Sequence, residues 1–80
     1  MTVNDIIAKI RSKCVQNNCQ QVTEEIDLRI RGGSTGSEIN AAVGKYLWDL
    51  QYNNPKVYEL IREEIISFVE LNRQNGIVIK

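Results

Sequence analysis

Histidine is missing from this chain of 80 residues, and neither sign of charge is in excess. Without histidine the chain lacks the residue that most often serves as general acid, general base or metal ligand. Ten basic and ten acidic residues cancel, so no net field attracts nucleic acid or an anionic membrane. These absences argue against an enzyme, a metalloprotein and a non-specific nucleic-acid binder, and we expect no cofactor.

Long apolar runs are also missing from the sequence. No stretch approaches the roughly 20 apolar residues that a helix needs to cross a bilayer. The N-terminal segment MTVNDIIAKIRSK mixes its charges with its apolar residues, whereas a signal peptide places its charges first. We therefore expect a cytoplasmic protein with no membrane partner, folded as a single helical domain over residues 1–80.

Helical spacing of apolar residues is present through most of the chain. It predicts helices over residues 3–16, 37–52 and 55–74. Asn54 and Pro55 supply a cap and a first helical residue for the last of these, and Asn75-Gly76 is a typical helix end. Helices joined by short turns predict a small antiparallel bundle of four, an all-α fold.

The second segment, QQVTEEIDLRIRGG, fits two patterns. Val22, Ile26 and Ile30 recur every four residues, as on a helix, whereas Ile26, Leu28 and Ile30 also alternate with charged residues, as in a strand. The alternative fold is therefore α+β, with a short strand at 26–31 and a C-terminal strand at 77–79. We favour the helix, because 77–79 is the only candidate partner strand and is short.

A glycine-rich break follows at residues 32–36. Gly32 and Gly33 are expected to end the second helix in the left-handed conformation, and Ser34, Thr35 or Ser37 to cap the third. A phosphate-binding loop would need Lys-Ser or Lys-Thr after its last glycine, where this chain has Ser-Glu. The segment is interpreted as a turn between helices.

Three polar or reactive residues have a structural and a functional interpretation. Cys14 is expected in the core and Cys19 in the turn that follows, because two cysteines without histidine do not complete a zinc site. Glu64 falls within the apolar arc of the fourth helix. It is predicted to pair with Lys9, Lys13 or Arg29, while the functional interpretation is a general acid or a polar anchor for a partner.

The third and fourth helices carry the candidate partner-binding residues. Trp48 and Tyr52 are one turn apart, beside Ala41 and Gly44, on the side of the third helix opposite its core positions. Tryptophan and tyrosine are favoured interface anchors. Either they bind a partner or they pack against the second helix. On the fourth helix, the candidates share an acidic face: Glu59, Glu63, Ile66 and Glu70.

Residues 31–75 carry a further indication of function. This segment consists of RGGSTGSEI, then a helix, then NPKVYELIREEI. Its layout resembles that of the small all-helical immunity proteins of bacterial toxin systems. The resemblance implies a non-catalytic, bacterial protein that neutralises a toxin by binding the toxin's active domain. It differs in charge, since immunity proteins of nuclease toxins are often acidic and this chain is neutral. No site residue is carried over from it.

Two other functions use the same residues. Residues 38–44, EINAAVG, resemble the first helix and turn glycine of a helix-turn-helix, which is a DNA-binding or regulatory motif. The following KYLWDLQYNN leaves no room for a turn and a recognition helix, so nucleic acid is disfavoured as a partner. The exposed aromatic residues could instead hold a homodimer together.

Overall fold

The computed structural model describes residues 2–77 and 79, and they form four α-helices joined by short turns. The helices are α1 (Val3–Gln16), α2 (Gln20–Gly32), α3 (Gly36–Asn53) and α4 (Pro55–Gln74). Each packs against its neighbours in the chain, and α4 also packs against α1. The helices thus close a ring around one core. The predicted all-α bundle of four helices is confirmed.

The ambiguous second segment is a helix, so the α+β alternative is wrong for residues 26–31. Val22 and Ile26 are buried along one side of α2, whereas Leu28 is 58% exposed. The residues spaced four apart are therefore the ones that enter the core, whereas the alternating apolar pattern does not correspond to burial. Of the expected C-terminal strand, Ile77 and Ile79 are not in a strand, and Val78 lies outside the described residues.

One hydrophobic core runs through the middle of the ring. All four helices contribute fully buried side chains, and α4 supplies the largest, Phe68. Asn72 is the buried polar residue of α4, and its amide donates to the Phe68 carbonyl at 2.8 Å. The buried core positions are Ile6, Ile7, Ile10, Cys14, Val22, Ile26, Val43, Leu47, Leu50, Ile61, Ile65, Phe68 and Val69.

Side-chain caps fix where three of the helices begin. The Thr2 hydroxyl accepts from the Asp5 backbone N–H, and the Thr35 hydroxyl accepts from the Glu38 N–H. Asn54 caps α4 because its side-chain Oδ1 accepts from the Val57 backbone N–H. Because each cap satisfies a backbone donor that has no partner within the helix, it sets the first turn.

The end of α2 differs from the expectation for its two glycines. Neither adopts the left-handed conformation, and Gly33 is extended with φ of −86°. Gly33 is needed for space instead, because a Cβ there would collide with the Ile39 side chain. A Cβ on Gly32 would meet nothing within 4 Å. The turn is therefore set by the close approach of α3.

Candidate functional site

The aromatic pair of α3 divides between the surface and the edge of the core. Tyr52 is 75% exposed, the highest value among the large apolar side chains of the described residues. Trp48, one turn earlier, is half-buried and packs against the core cluster. The pair therefore presents one free ring beside one ring held by the fold.

The second helix does not cover this pair, contrary to one of the two sequence interpretations. Tyr46 is the ring that faces α2, since the Arg29 guanidinium of α2 lies 4.4 Å from its centroid. Trp48 is two residues further, about 200° around a helix that turns 100° per residue. Since α3 packs only against α2 and α4 within the described residues, Trp48 lies on the flank towards α4.

Ile66 of α4 lies on the matching flank. Glu64 faces α1, because its carboxylate accepts from Lys13 Nζ at 2.7 Å. Ile66 is again two residues away, so it is turned from α1 towards α3, and it is 39% exposed. We call Trp48, Tyr52 and Ile66 the α3/α4 surface. By this projection the three candidates face the same side of the bundle.

The three acidic candidates are all exposed on α4 but differ in their neighbours. Glu59 Oε2 lies 3.7 Å from Arg62 Nη1, so its charge is largely balanced. Glu63 and Glu70 instead line the groove between α1 and α4, where Ile6 forms part of the floor. Glu63 is three residues before Ile66 and Glu70 four residues after it, so by helical projection both stay within about 60° of Ile66 on the same face of α4.

Gly44 marks the inner boundary of the α3/α4 surface. It is buried, and a Cβ at this position would collide with the Ile79 side chain. Ile79 therefore lies directly on the small residue that precedes Trp48 by one turn. Ile79 thus covers part of the aromatic side of α3 that the sequence analysis offers to either a partner or the second helix.

The buried ion pair confirms the structural interpretation of Glu64. Its side chain is 12% exposed and that of Lys13 is 40% exposed. A carboxylate this buried needs a cation, and Lys13 supplies it from the neighbouring helix. The pair joins α1 to α4 in the middle of their contact, and it is occupied in holding the fold together.

The two cysteines occupy the places that the sequence predicts. Both thiols are free; Cys14 is in the core, and Cys19 precedes the first residue of α2. Burial raises the pKa of the Cys14 thiol from 9.0 to about 11, so it is protonated and unreactive at neutral pH. Among residues 2–77 and 79, no three of Cys, Asp and Glu come together as metal ligands.

The residues that resembled a helix-turn-helix lie within one continuous helix. Gly44, the candidate turn glycine, is an interior residue of α3, which continues to Asn53. The segment therefore presents no second helix at the angle that a DNA-reading motif requires. No helix among the described residues is long and apolar enough to cross a membrane.

Two neighbours of the α3/α4 surface were missed from the sequence. Arg62 is three residues after Glu59, a spacing at which opposite charges meet on a helix, so this pair had a detectable signal. The contact of Ile79 with Gly44 had none, because it joins residues 35 positions apart. Comparison with protein families, curated proteins and solved structures found no match to this chain.

Proposed function

We propose that this protein is a non-catalytic binding module of the immunity type, which neutralises a toxin by covering its active domain. The observation that carries the proposal is the 75% exposure of Tyr52 beside a half-buried Trp48. A large ring in water contributes little to the fold, whereas tyrosine and tryptophan are the residues that most often dominate binding energy at interfaces.

The arrangement of the α3/α4 surface supports this use. Trp48 is held by the core, so little side-chain entropy is lost when a partner covers it. Tyr52 and Ile66 extend the contact on either side, and the Glu59–Arg62 pair provides a polar rim. Glu63 and Glu70, each about one turn from Ile66 on α4, carry charges that steer a basic partner.

The test is capture with a matched pair of variants. The tagged chain is used to isolate proteins from a bacterial lysate, beside Tyr52→Ser and Leu28→Ser. Leu28 is 58% exposed on α2, so it controls for the general loss of an exposed apolar side chain. We expect the Tyr52 variant to lose a partner that the Leu28 variant retains. That partner, expressed alone, should arrest growth, and co-expression of the chain should restore it.

A partner that binds both variants equally would contradict the assignment of the surface. A partner lost only with Tyr52→Ser that has no effect on growth would contradict the immunity function. Light scattering of the purified chain at two concentrations tests the homodimer. A stable dimer that Tyr52→Ser dissociates would assign this surface to a second copy of the chain.

A further inference from the structure

A cleft of about 440 Å³ lies at the end of the bundle where α1 and α3 begin and α2 ends. Within the described residues, α1 and α3 lie across the ring from each other and do not pack together. The cleft occupies this gap. Its walls come from three helices and are mainly aliphatic, with side chains from Val3, Ile7, Ile30 and Ile39.

Neutral polar groups form the remainder of the lining. They come from Thr2, Asn4, Gly36 and Asn40. Among residues 2–77 and 79, none that lines the cleft is charged. Small-molecule sites have volumes of roughly 300–1,000 Å³ and combine an apolar lining with a few polar groups. This cleft has both properties.

The nearby helix ends disfavour an anion. At the start of α1 the Thr2 hydroxyl binds one backbone donor, at the start of α3 the Thr35 hydroxyl binds one, and each helix has an acid in its first turn. Hydrogen bonds from Thr2 hold the pKa of Asp5 below its ordinary value, so this carboxylate is charged. Glu38 lies at the corresponding place in α3. Both charges oppose a carboxylate or phosphate in the cleft.

We propose that this cleft binds a small neutral amphiphile, an aliphatic chain that ends in a hydroxyl or an amide. The chain lies against the aliphatic walls, and its polar end reaches the asparagine side chains at the rim. The cleft is at a different place from the α3/α4 surface, so this proposal does not depend on the proposed function.

The test is a titration of the protein with 1-octanol, followed through the methyl resonances of valine and isoleucine. We expect saturable shifts centred on Val3, Ile7, Ile30 and Ile39. Octanoate has the same chain length but a negative end, and we expect it to bind about tenfold more weakly or not at all. Equal binding of the two would overturn the requirement for a neutral ligand.

Two glycines provide the matched variants. A Cβ on Gly36 or on Gly32 meets nothing within 4 Å, but only Gly36 lines the cleft. Gly36→Phe should therefore raise the dissociation constant for octanol by about tenfold, whereas Gly32→Phe should change it less than about twofold. Thermal unfolding checks that both variants are folded. Unsaturable shifts, or equal affinity in the two variants, would overturn the proposal.

Discussion

The inner and outer sides of α3 and α4 differ in how far their side chains are buried and in whether their charges are paired. On the inner side, Leu47 and Phe68 are completely buried, and the carboxylate of Glu64 has its own cation. On the outer side, Tyr52 is 75% exposed, and Glu70 makes no ion pair within the described residues. The inner residues are needed for packing. The outer residues contribute little to the fold and are therefore available to bind a partner.

The strongest test of this contrast is truncation at the centre of the inner side. Leu47→Ala should lower the free energy of unfolding by about 3 kcal/mol, because it removes buried methyl groups and leaves a cavity. Urea denaturation followed by circular dichroism measures the change. Leu28→Ala, on an exposed side chain, should stay within about 0.5 kcal/mol of the original. Similar losses in both variants would remove the distinction between the two sides.

The adjacent glycines at the end of α2 give the next largest contrast. Gly33→Ala should cost about 2 kcal/mol, since its Cβ collides with Ile39 and the packing must shift. Gly32→Ala faces open space in a helix and should instead stabilise by about 0.5 kcal/mol. Thermal unfolding of the two variants compares them directly. A stable Gly33→Ala protein would show that the turn has more room than the structure indicates.

The two cysteines extend the comparison to chemistry. The folded state raises the pKa of Cys14 from 9.0 to about 11, so the unfolded chain loses this proton first as pH rises. The stability that Cys14 contributes is therefore complete below pH 9 and lost as pH rises towards 11, by about 1–2 kcal/mol. Denaturation at several alkaline pH values measures this slope.

Cys14→Ala provides the control for the alkaline slope, because other groups also titrate above pH 9. The variant should show a smaller decline than the original chain over the same range. A thiol reagent at pH 8 should modify Cys19 quickly and Cys14 only on unfolding. Rapid modification of both thiols in the folded protein would be inconsistent with a buried Cys14.

A largely buried and an exposed glutamate of α4 give a smaller contrast. Glu64→Gln keeps the shape of the side chain but removes its charge-assisted bond to Lys13, which should cost about 1 kcal/mol. Glu70→Gln should change stability by less than about 0.5 kcal/mol. Binding of the partner should survive Glu64→Gln. Loss of binding with unchanged unfolding would return Glu64 to the functional residues.

The sequence was sufficient for most of the fold. Apolar spacing, with a cap expected at Ser34, Thr35 or Ser37 and another at Asn54, predicted three helices almost to the residue. The second helix was ambiguous because Leu28 continues an alternating pattern, and only its exposure shows that the pattern is not used. The role of Gly33 could not be predicted either, since it depends on where Ile39 of the next helix is placed.

The candidate site was less predictable than the fold. Helical projection identified Trp48, Tyr52 and Ile66 as residues outside the core centre, and in the structure Tyr52 and Ile66 are exposed and Trp48 is half-buried. It also grouped Glu63 with Ile66, three residues later on α4, but it could not show that Glu63 borders the groove towards α1. Which flank of a helix meets which neighbour depends on the order of helices in the ring, and this order is not encoded within a single helix.

Of these substitutions, Tyr52→Ser should have the smallest effect on the free energy of unfolding and the largest effect on partner binding. Because its ring is 75% exposed, Tyr52→Ser should change the free energy of unfolding by less than about 0.5 kcal/mol. The emission of Trp48 should also stay constant, since the core and not Tyr52 holds the indole. A loss of more than about 1 kcal/mol would show that the ring supports the fold. The outer side would then have no exposed aromatic ring that the fold does not need, and the proposed partner binding depends on such a ring.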